Sequence, residues 1–260
     1  MTKPRVAFFD FSSCEGCQLQ VVNLEEAILD VLKLIDIVEF REAMKESSTK
    51  YDIAIIEGSI TRPIDVERIK KIRERASILI AMGACAHLGG VQRMGNKWTP
   101  EENKAEVYKR HPGSEITKGD ANPYFAQPRH RAVDEIVKVD ATIPGCPIDS
   151  NEFARILIAL LQGKKLPIPD YPVCVECKKN ENICVFEIGG FCMGPIARAG
   201  CGAPCPTHGG ECEACRGYVD HPHTQAHNEV LKKYGLTPEQ IMNRKTMYTY
   251  RYVEEAKGGE

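Results

Sequence analysis

The chain has 260 residues, 43% of them apolar, which is enough for one ordinary domain with a filled core plus a smaller one. With 34 Lys and Arg against 36 Asp and Glu, no global field draws it to nucleic acid or to an anionic membrane surface. The longest apolar runs, such as 156–161, are far too short to span a bilayer, and Met1 leads straight into a strand with no secretory pattern, so the expected location is cytoplasmic.

Val6 to Phe11 is a short apolar run between Pro4 and Ser12-Ser13 and reads as a buried strand. After Cys17, the spacing of Val21, Leu24, Ile28, Val31 and Leu32 predicts a helix, followed by a second strand at Ile37 to Phe40. A third strand at Ile53 to Ile56 ends at Glu57-Gly58-Ser59. Ile64, Ile69 and Ile72 then mark a charged amphipathic helix before a fourth strand at Ile78 to Met82. This alternation of strand and helix implies a parallel sheet in an α/β fold.

From Gly89 to Arg131 the pattern dissolves into a polar stretch too long for a plain connection, read as an insertion with a contact role or as a surface excursion. Regular structure is expected to return over Ala132 to Val137. A fifth strand is placed around Val139 to Ile143, and a helix from about Asn151 to Leu161 with Ser150 as its N-cap. Lys164 to Pro172 holds three prolines in nine residues and marks a domain boundary, giving domains 1–165 and 166–260. Cys174 to Cys215 shows neither helical nor strand periodicity, and a bound cofactor is expected to organise it. The tail from Asp220 carries one helix opening at Thr237-Pro238-Glu239, and its last few residues are expected to be disordered.

The twelve cysteines carry the chemistry. Thiols stay reduced in the cytosol, so ligation is the first reading and a disulfide framework the weaker one. A four-iron cluster takes four thiolates, and twelve divides into three such sets. Cys14 and Cys17 follow the first strand, Cys85 the fourth and Cys146 the fifth, each flanked by Gly, Pro or Ser. Loops at the carboxyl ends of parallel strands lie side by side, so these four converge on the edge where such folds bind ligands. The alternatives are a redox dithiol at Cys14 and Cys17, or Cys85 and Cys146 as small buried hydrophobes. Glu57 belongs to the same edge, unless it is a solvated loop carboxylate.

The remaining eight run Cys174, Cys177, Cys184, Cys192, Cys201, Cys205, Cys212 and Cys215, and the simplest partition gives four to each of two sites. Spacing leaves two four-thiolate zinc sites open as the rival, and a zinc-stabilised binding module without a redox role as the alternative function. His221, His223 and His227 read as a plain surface segment, and His87 as a hydrogen-bonding neighbour of Cys85 rather than a ligand.

Together, Ser13-Cys14-Glu15-Gly16-Cys17, Ile56-Glu57-Gly58-Ser59-Ile60, Gly83-Ala84-Cys85-Ala86, Gly89-Gly90, Pro144-Gly145-Cys146-Pro147, Cys192-Met193-Gly194-Pro195 and Cys212-Glu213-Ala214-Cys215 are highly specific. On these motifs the chain resembles, from about Val6 to Cys215, the small subunit of nickel-iron hydrogenases. The resemblance implies a flavodoxin-like, doubly wound parallel sheet holding the proximal cluster, followed by a small, irregular ferredoxin-like iron-sulfur domain.

It implies three four-iron four-sulfur (4Fe-4S) clusters: proximal on Cys14, Cys17, Cys85 and Cys146, medial on Cys201, Cys205, Cys212 and Cys215, and distal on Cys174, Cys177, Cys184 and Cys192. Many membrane-linked members of that family have His where Cys174 stands and a three-iron medial cluster. Cysteine at all twelve positions and the absence of a twin-arginine signal match the cytosolic branch, which includes sulfhydrogenase delta subunits. No cysteine is then left for nickel, so the implied partners are a hydrogenase large subunit carrying the nickel-iron site and flavin-bearing, iron-sulfur diaphorase-type subunits. The terminal acceptor is left open among NAD(P), ferredoxin, coenzyme F420 and polysulfide. The related small subunit of respiratory complex I shares Pro-Gly-Cys-Pro but uses adjacent cysteines near the first strand and lacks the eight-cysteine block.

Overall fold

Five short strands of Val, Ile, Phe and Ala form the centre of the molecule. The computed structural model describes residues 3–25, 27–109 and 129–258. The strands are β1 (Arg5–Asp10), β2 (Asp36–Glu39), β3 (Ile53–Glu57), β4 (Ile78–Met82) and β5 (Ala141–Ile143), all parallel, in the order β2-β1-β3-β4-β5. This is flavodoxin-like topology, with its switch point between β1 and β3.

Register explains how the two faces fill. Phe8, Ile55, Ile80 and Ala141 stand in one row and bury against α1 (Gly16–Val22), α2 (Ala27–Leu34) and α6 (Ser150–Leu161). The next row, Phe9, Ile56 and Ala81, points the other way and buries against α3 (Pro63–Arg75) and α4 (Gly83–Leu88). Strands buried on both faces read as continuous apolar runs, as these do. The last row, Asp10, Glu57, Met82 and Ile143, is the carboxyl edge of the sheet.

Several expected elements differ in detail. The helix after Cys17 is two helices, because Glu25 sits at φ 52°, where a right-handed helix cannot continue. Ile64 is exposed on the solvent side of the first turn of α3, while Ile69 and Ile72 are buried. β5 begins two residues later than expected, since the Asp140 carboxylate accepts the Leu79 amide at 2.8 Å. Between Ala132 and β5 there is only a short 3-10 turn, Val133–Glu135. The cap of α6 is Asp149, whose carboxylate accepts the Glu152 amide at 2.7 Å, and not Ser150, whose hydroxyl donates to Gln20 O at 2.8 Å. The insertion opens with a 3-10 helix, Val91–Lys97, and α5 (Pro100–Lys109), and much of it lies outside the described residues.

No helix or strand is assigned between α6 and α7 (Val173–Lys179). Beyond it come the single turn α8 (Pro204–Thr207) and three tail helices, α9 (Thr224–Lys233), α10 (Pro238–Lys245) and α11 (Tyr250–Gly258), in place of the single helix expected. Thr237 caps α10 in a reciprocal arrangement with Gln240. The last two residues, expected to be disordered, lie outside the described ones. The cysteine-rich segment has an apolar cluster of its own, built on Phe186, Phe191, Met193, Ile196, Leu231 and Ile241. Its residues show no period because they are collected from turns and from α9 and α10.

α11 folds back onto the first half of the chain. Glu254 accepts from Arg93 Nε and Arg129 Nη2, each at 2.6 Å, and Arg251 donates to His87 O at 2.9 Å and to the Asp134 carboxylate at 2.8 Å. Arg93 and Glu254 are both buried, and Arg93 also pairs with Glu135. Among the described residues, no helix is long and apolar enough to cross a membrane.

Candidate functional site

The loops that leave the carboxyl edge hold the first four cysteines. Ser12 and Ser59 exchange backbone hydrogen bonds of 3.2 and 3.0 Å just beyond β1 and β3, which aims the chain from Ser13 across the edge. Cys17 lies in the first turn of α1, Cys85 in the first turn of α4, and Cys146 in the loop before α6. The Ala84 amide donates to Gly145 O at 2.7 Å, tying the ends of β4 and β5 together. Two glycines keep the sulfurs clear: a Cβ on Gly83, at φ 84°, would strike Cys17 Sγ, and one on Gly90 would come within 2.6 Å of Cys85 Sγ.

The carboxylate of Glu57 is 2% exposed and accepts the amides of Cys17 at 3.0 Å and Gln18 at 3.1 Å. It caps α1 and fixes Cys17, so it is not a solvated loop group. Burial pushes the Cys85 thiol up to about 11 and Cys17 higher still; charge on Cys146 acts on both in the same direction, as does charge on Cys14 on Cys85. Cys17 and Cys85 thus stand where a lone thiolate is disfavoured, which suits a cationic, thiophilic group that compensates its charge.

The other eight cysteines gather around two cavities. One, of about 130 Å³, is lined by Cys201, Cys205, Cys212 and Cys215, together with Cys146 from the sheet edge, Arg216 and Tyr248. The other, of about 40 Å³, is lined by Cys174, Cys177, Cys184 and Cys192. N–H groups approach the sulfurs: the Gly194 amide reaches Cys192 Sγ at 3.3 Å, Asn182 Nδ2 reaches Cys177 Sγ at 3.6 Å, and Gln92 Nε2 stands 3.7 Å from Cys85 Sγ. Glu176 accepts the amides of Gly200 and Gly202 at 2.8 and 2.9 Å and so fixes the loop that carries Cys201. Four soft donors around a small cavity, with donors directed at the sulfurs, fit a group of iron and sulfide. All twelve cysteines are free, and among the described residues no three Cys, His, Asp or Glu side chains close in as on a single metal ion.

The three sets form a series. Cys146 belongs to the edge set and also lines the larger cavity. Cys212 of that cavity lies against Cys192 of the smaller one: the Met193 amide, next to Cys192, donates to Cys212 O at 2.8 Å, and the two thiols act on each other, holding Cys192 below and Cys212 above the ordinary thiol range. Arg216 clamps the first junction: its guanidinium is buried, forks onto the buried Glu152 carboxylate at 2.6 and 2.7 Å, and donates to Pro144 O and Ala199 O, each at 2.8 Å.

Gln92, Arg216, Tyr248 and Glu152 carry no motif signal; only Arg216, next to Cys215, adjoins a singled-out residue. Of the histidines, His221 and His223 are exposed, whereas His227 is buried with Nε2 2.9 Å from Cys192 O, which corrects the surface reading. Burial presses His87 down to about 4, so it is neutral near pH 7.

Residues 14–160 match the family model described as NADH ubiquinone oxidoreductase, 20 Kd subunit. The chain is 35% identical over 243 residues to the sulfhydrogenase 2 subunit delta of Pyrococcus furiosus, across 93% of this chain and 97% of that protein. It is 34% identical to a vhu subunit of the F420-non-reducing hydrogenase of Methanocaldococcus jannaschii, across 83% of this chain and 82% of that protein. Among solved structures, a chain of an NAD+-reducing [NiFe]-hydrogenase in the H2-reduced state superposes with a TM-score of 0.58 at 28% identity, covering 65% of this chain and 96% of that one.

Proposed function

Since the chain belongs to the family of the NADH ubiquinone oxidoreductase 20 kDa subunit, and is homologous to hydrogenase subunits over nearly its whole length, we propose that it is the electron-relay subunit of a nickel-iron hydrogenase. It is a small iron-sulfur subunit of an oxidoreductase complex. In our reading Cys14, Cys17, Cys85 and Cys146 hold the proximal 4Fe-4S cluster, Cys201, Cys205, Cys212 and Cys215 the medial one, and Cys174, Cys177, Cys184 and Cys192 the distal one. The observation that supports this is the serial arrangement, with Cys146 reaching into the second site and Cys212 against Cys192 of the third.

When bound, such clusters take up and release electrons one at a time. The chain's own contribution is positional. Glu57 and Asp149 fix the helix starts around the edge set, Arg216 and Glu152 hold the second set against it, and N–H groups on the sulfurs bias the potentials. With every cysteine engaged, the nickel-iron site lies on a large subunit, and electrons pass from it through the proximal, medial and distal sets to a flavin-bearing, diaphorase-type partner. The eight-cysteine block lies beyond the residues that match the family model, which supports a hydrogenase rather than a complex I-like reading. We keep the division at 165/166, the ferredoxin-like character of the second part and a cytoplasmic location as parts of the same proposal.

Iron, zinc and acid-labile sulfide analysis of anaerobically purified protein tests it. About twelve iron and twelve sulfide per chain is expected. Two or three zinc ions without sulfide would establish the zinc-stabilised module instead.

A further inference from the structure

The tail helices enclose a feature that the relay does not use. α9, α10 and α11 line a cleft of about 480 Å³, within the range of small-molecule sites. Its walls are largely apolar, with Ile241, Tyr252 and Val253 among them, and among the described residues no Asp or Glu lines it. The charged groups that do are Lys245 and Lys232.

Lys245 is 8% exposed, and its ammonium donates to Asn228 Oδ1. An ammonium has three donors and a charge, and one neutral amide satisfies neither. Of the carboxylates on the surrounding segments, Glu211 and Glu213 pair with Arg244, Glu254 with Arg93 and Arg129, and Glu255 with Arg251, while Glu229 and Glu239 are exposed. Among the described residues, no carboxylate oxygen comes within ion-pair distance of Lys245, and burial alone presses its amine below the ordinary lysine range. Lys232, by contrast, is exposed. Burying a cation without a counter-charge costs stability, and an anion bound in the cleft would offset that cost.

We propose that this cleft binds a small organic anion, a carboxylate or phosphate carried on an apolar or planar body, with the anionic group on Lys245 and the body against Ile241, Tyr252 and Val253. Lys232 attracts the ligand at the mouth. A buried anchor with apolar walls selects against inorganic anions, which have nothing to place there, and against neutral aromatics, which leave the ammonium unpaired.

Equilibrium dialysis of the assembled, iron-loaded protein against naphthoate, naphthalenemethanol and inorganic phosphate tests this. Naphthoate is expected to bind one per chain and about tenfold or more tighter than the alcohol, the worth of a hydrogen bond to a charged group. In Lys245→Met, which replaces the ammonium by an apolar side chain of similar length, that preference disappears while iron content holds. Lys232→Ala, at an exposed position, weakens naphthoate about twofold to threefold. Equal binding of acid and alcohol, an unchanged preference in Lys245→Met, tighter binding of phosphate alone, or no binding to the assembled protein would each overturn the proposal. Iron and sulfide content reads the relay assignment separately.

Discussion

Glu152→Gln leaves the shape of the clamp between the edge set and the second set almost unchanged and removes its negative charge. The guanidinium of Arg216 is 2% exposed and Glu152 1% exposed, so water cannot take the place of the lost carboxylate. The bonds from Arg216 to Pro144 O and Ala199 O survive, but they do not neutralise a buried cation. Removing one partner of a buried ion pair costs about 3–5 kcal/mol. That is a large share of the roughly 5–15 kcal/mol that holds a domain folded. Replacing both residues with Met removes the uncompensated charge, and the double variant should recover most of the loss. Urea unfolding of the wild type, Glu152→Met, Arg216→Met and the double Met variant gives the coupling energy. If Glu152→Gln shifts the unfolding free energy by less than about 1 kcal/mol, or if the single effects simply add, the clamp is not what joins the two parts.

Cys146→Ala is expected to lose the iron of the edge set, to disturb the adjoining set, and to uncouple hydrogen oxidation from dye reduction; unchanged iron and activity would refute its assignment. Glu57→Gln gives up a charge-assisted acceptor for two amides of α1 and should cost about 1–3 kcal/mol, read by thermal unfolding together with faster iron release to a chelator. The Leu79 amide and the Arg73 guanidinium hold the Asp140 carboxyl below the ordinary carboxylate range. Its contribution is therefore present above about pH 4 and lost as pH falls below it; an acid-unfolding profile of Asp140→Asn should lack that portion, and identical profiles would refute it.

Much of the architecture can be read from the sequence because its cause is local. The runs at 53–56 and 78–82 are apolar on both faces, as strands at the centre of a parallel sheet are, and Cys85 follows the second of them closely. Asp149 and Ser150 are equally good caps by type, and the choice between them rests on which one Gln20 engages. The sequence position of Glu57 puts it on the correct edge, but its burial depends on amides from another element. Arg216 pairs with Glu152, Gln92 donates to Ser12 O and Tyr248 lines a cavity with Cys146, all far away in sequence, and no period or spacing announces them. The extra tail helices are hidden for a similar reason: α9 lacks the side-chain cap that announces α10, and the apolar residues of α9 and α11 bury against turns of the cysteine-rich segment.

Because α6 packs on the sheet and α11 is held by Arg93, Arg129 and Asp134, the chain between them is a loop with both ends fixed to one body. Closing a loop of that length costs about 4 kcal/mol in chain entropy, and the ion pairs of α11 offset part of it. Cys201, Cys205, Cys212 and Cys215 thereby face Cys146 across one cavity, at high effective concentration relative to it. Breaking the ion pairs of α11 would therefore loosen the second cysteine set without altering a single cysteine.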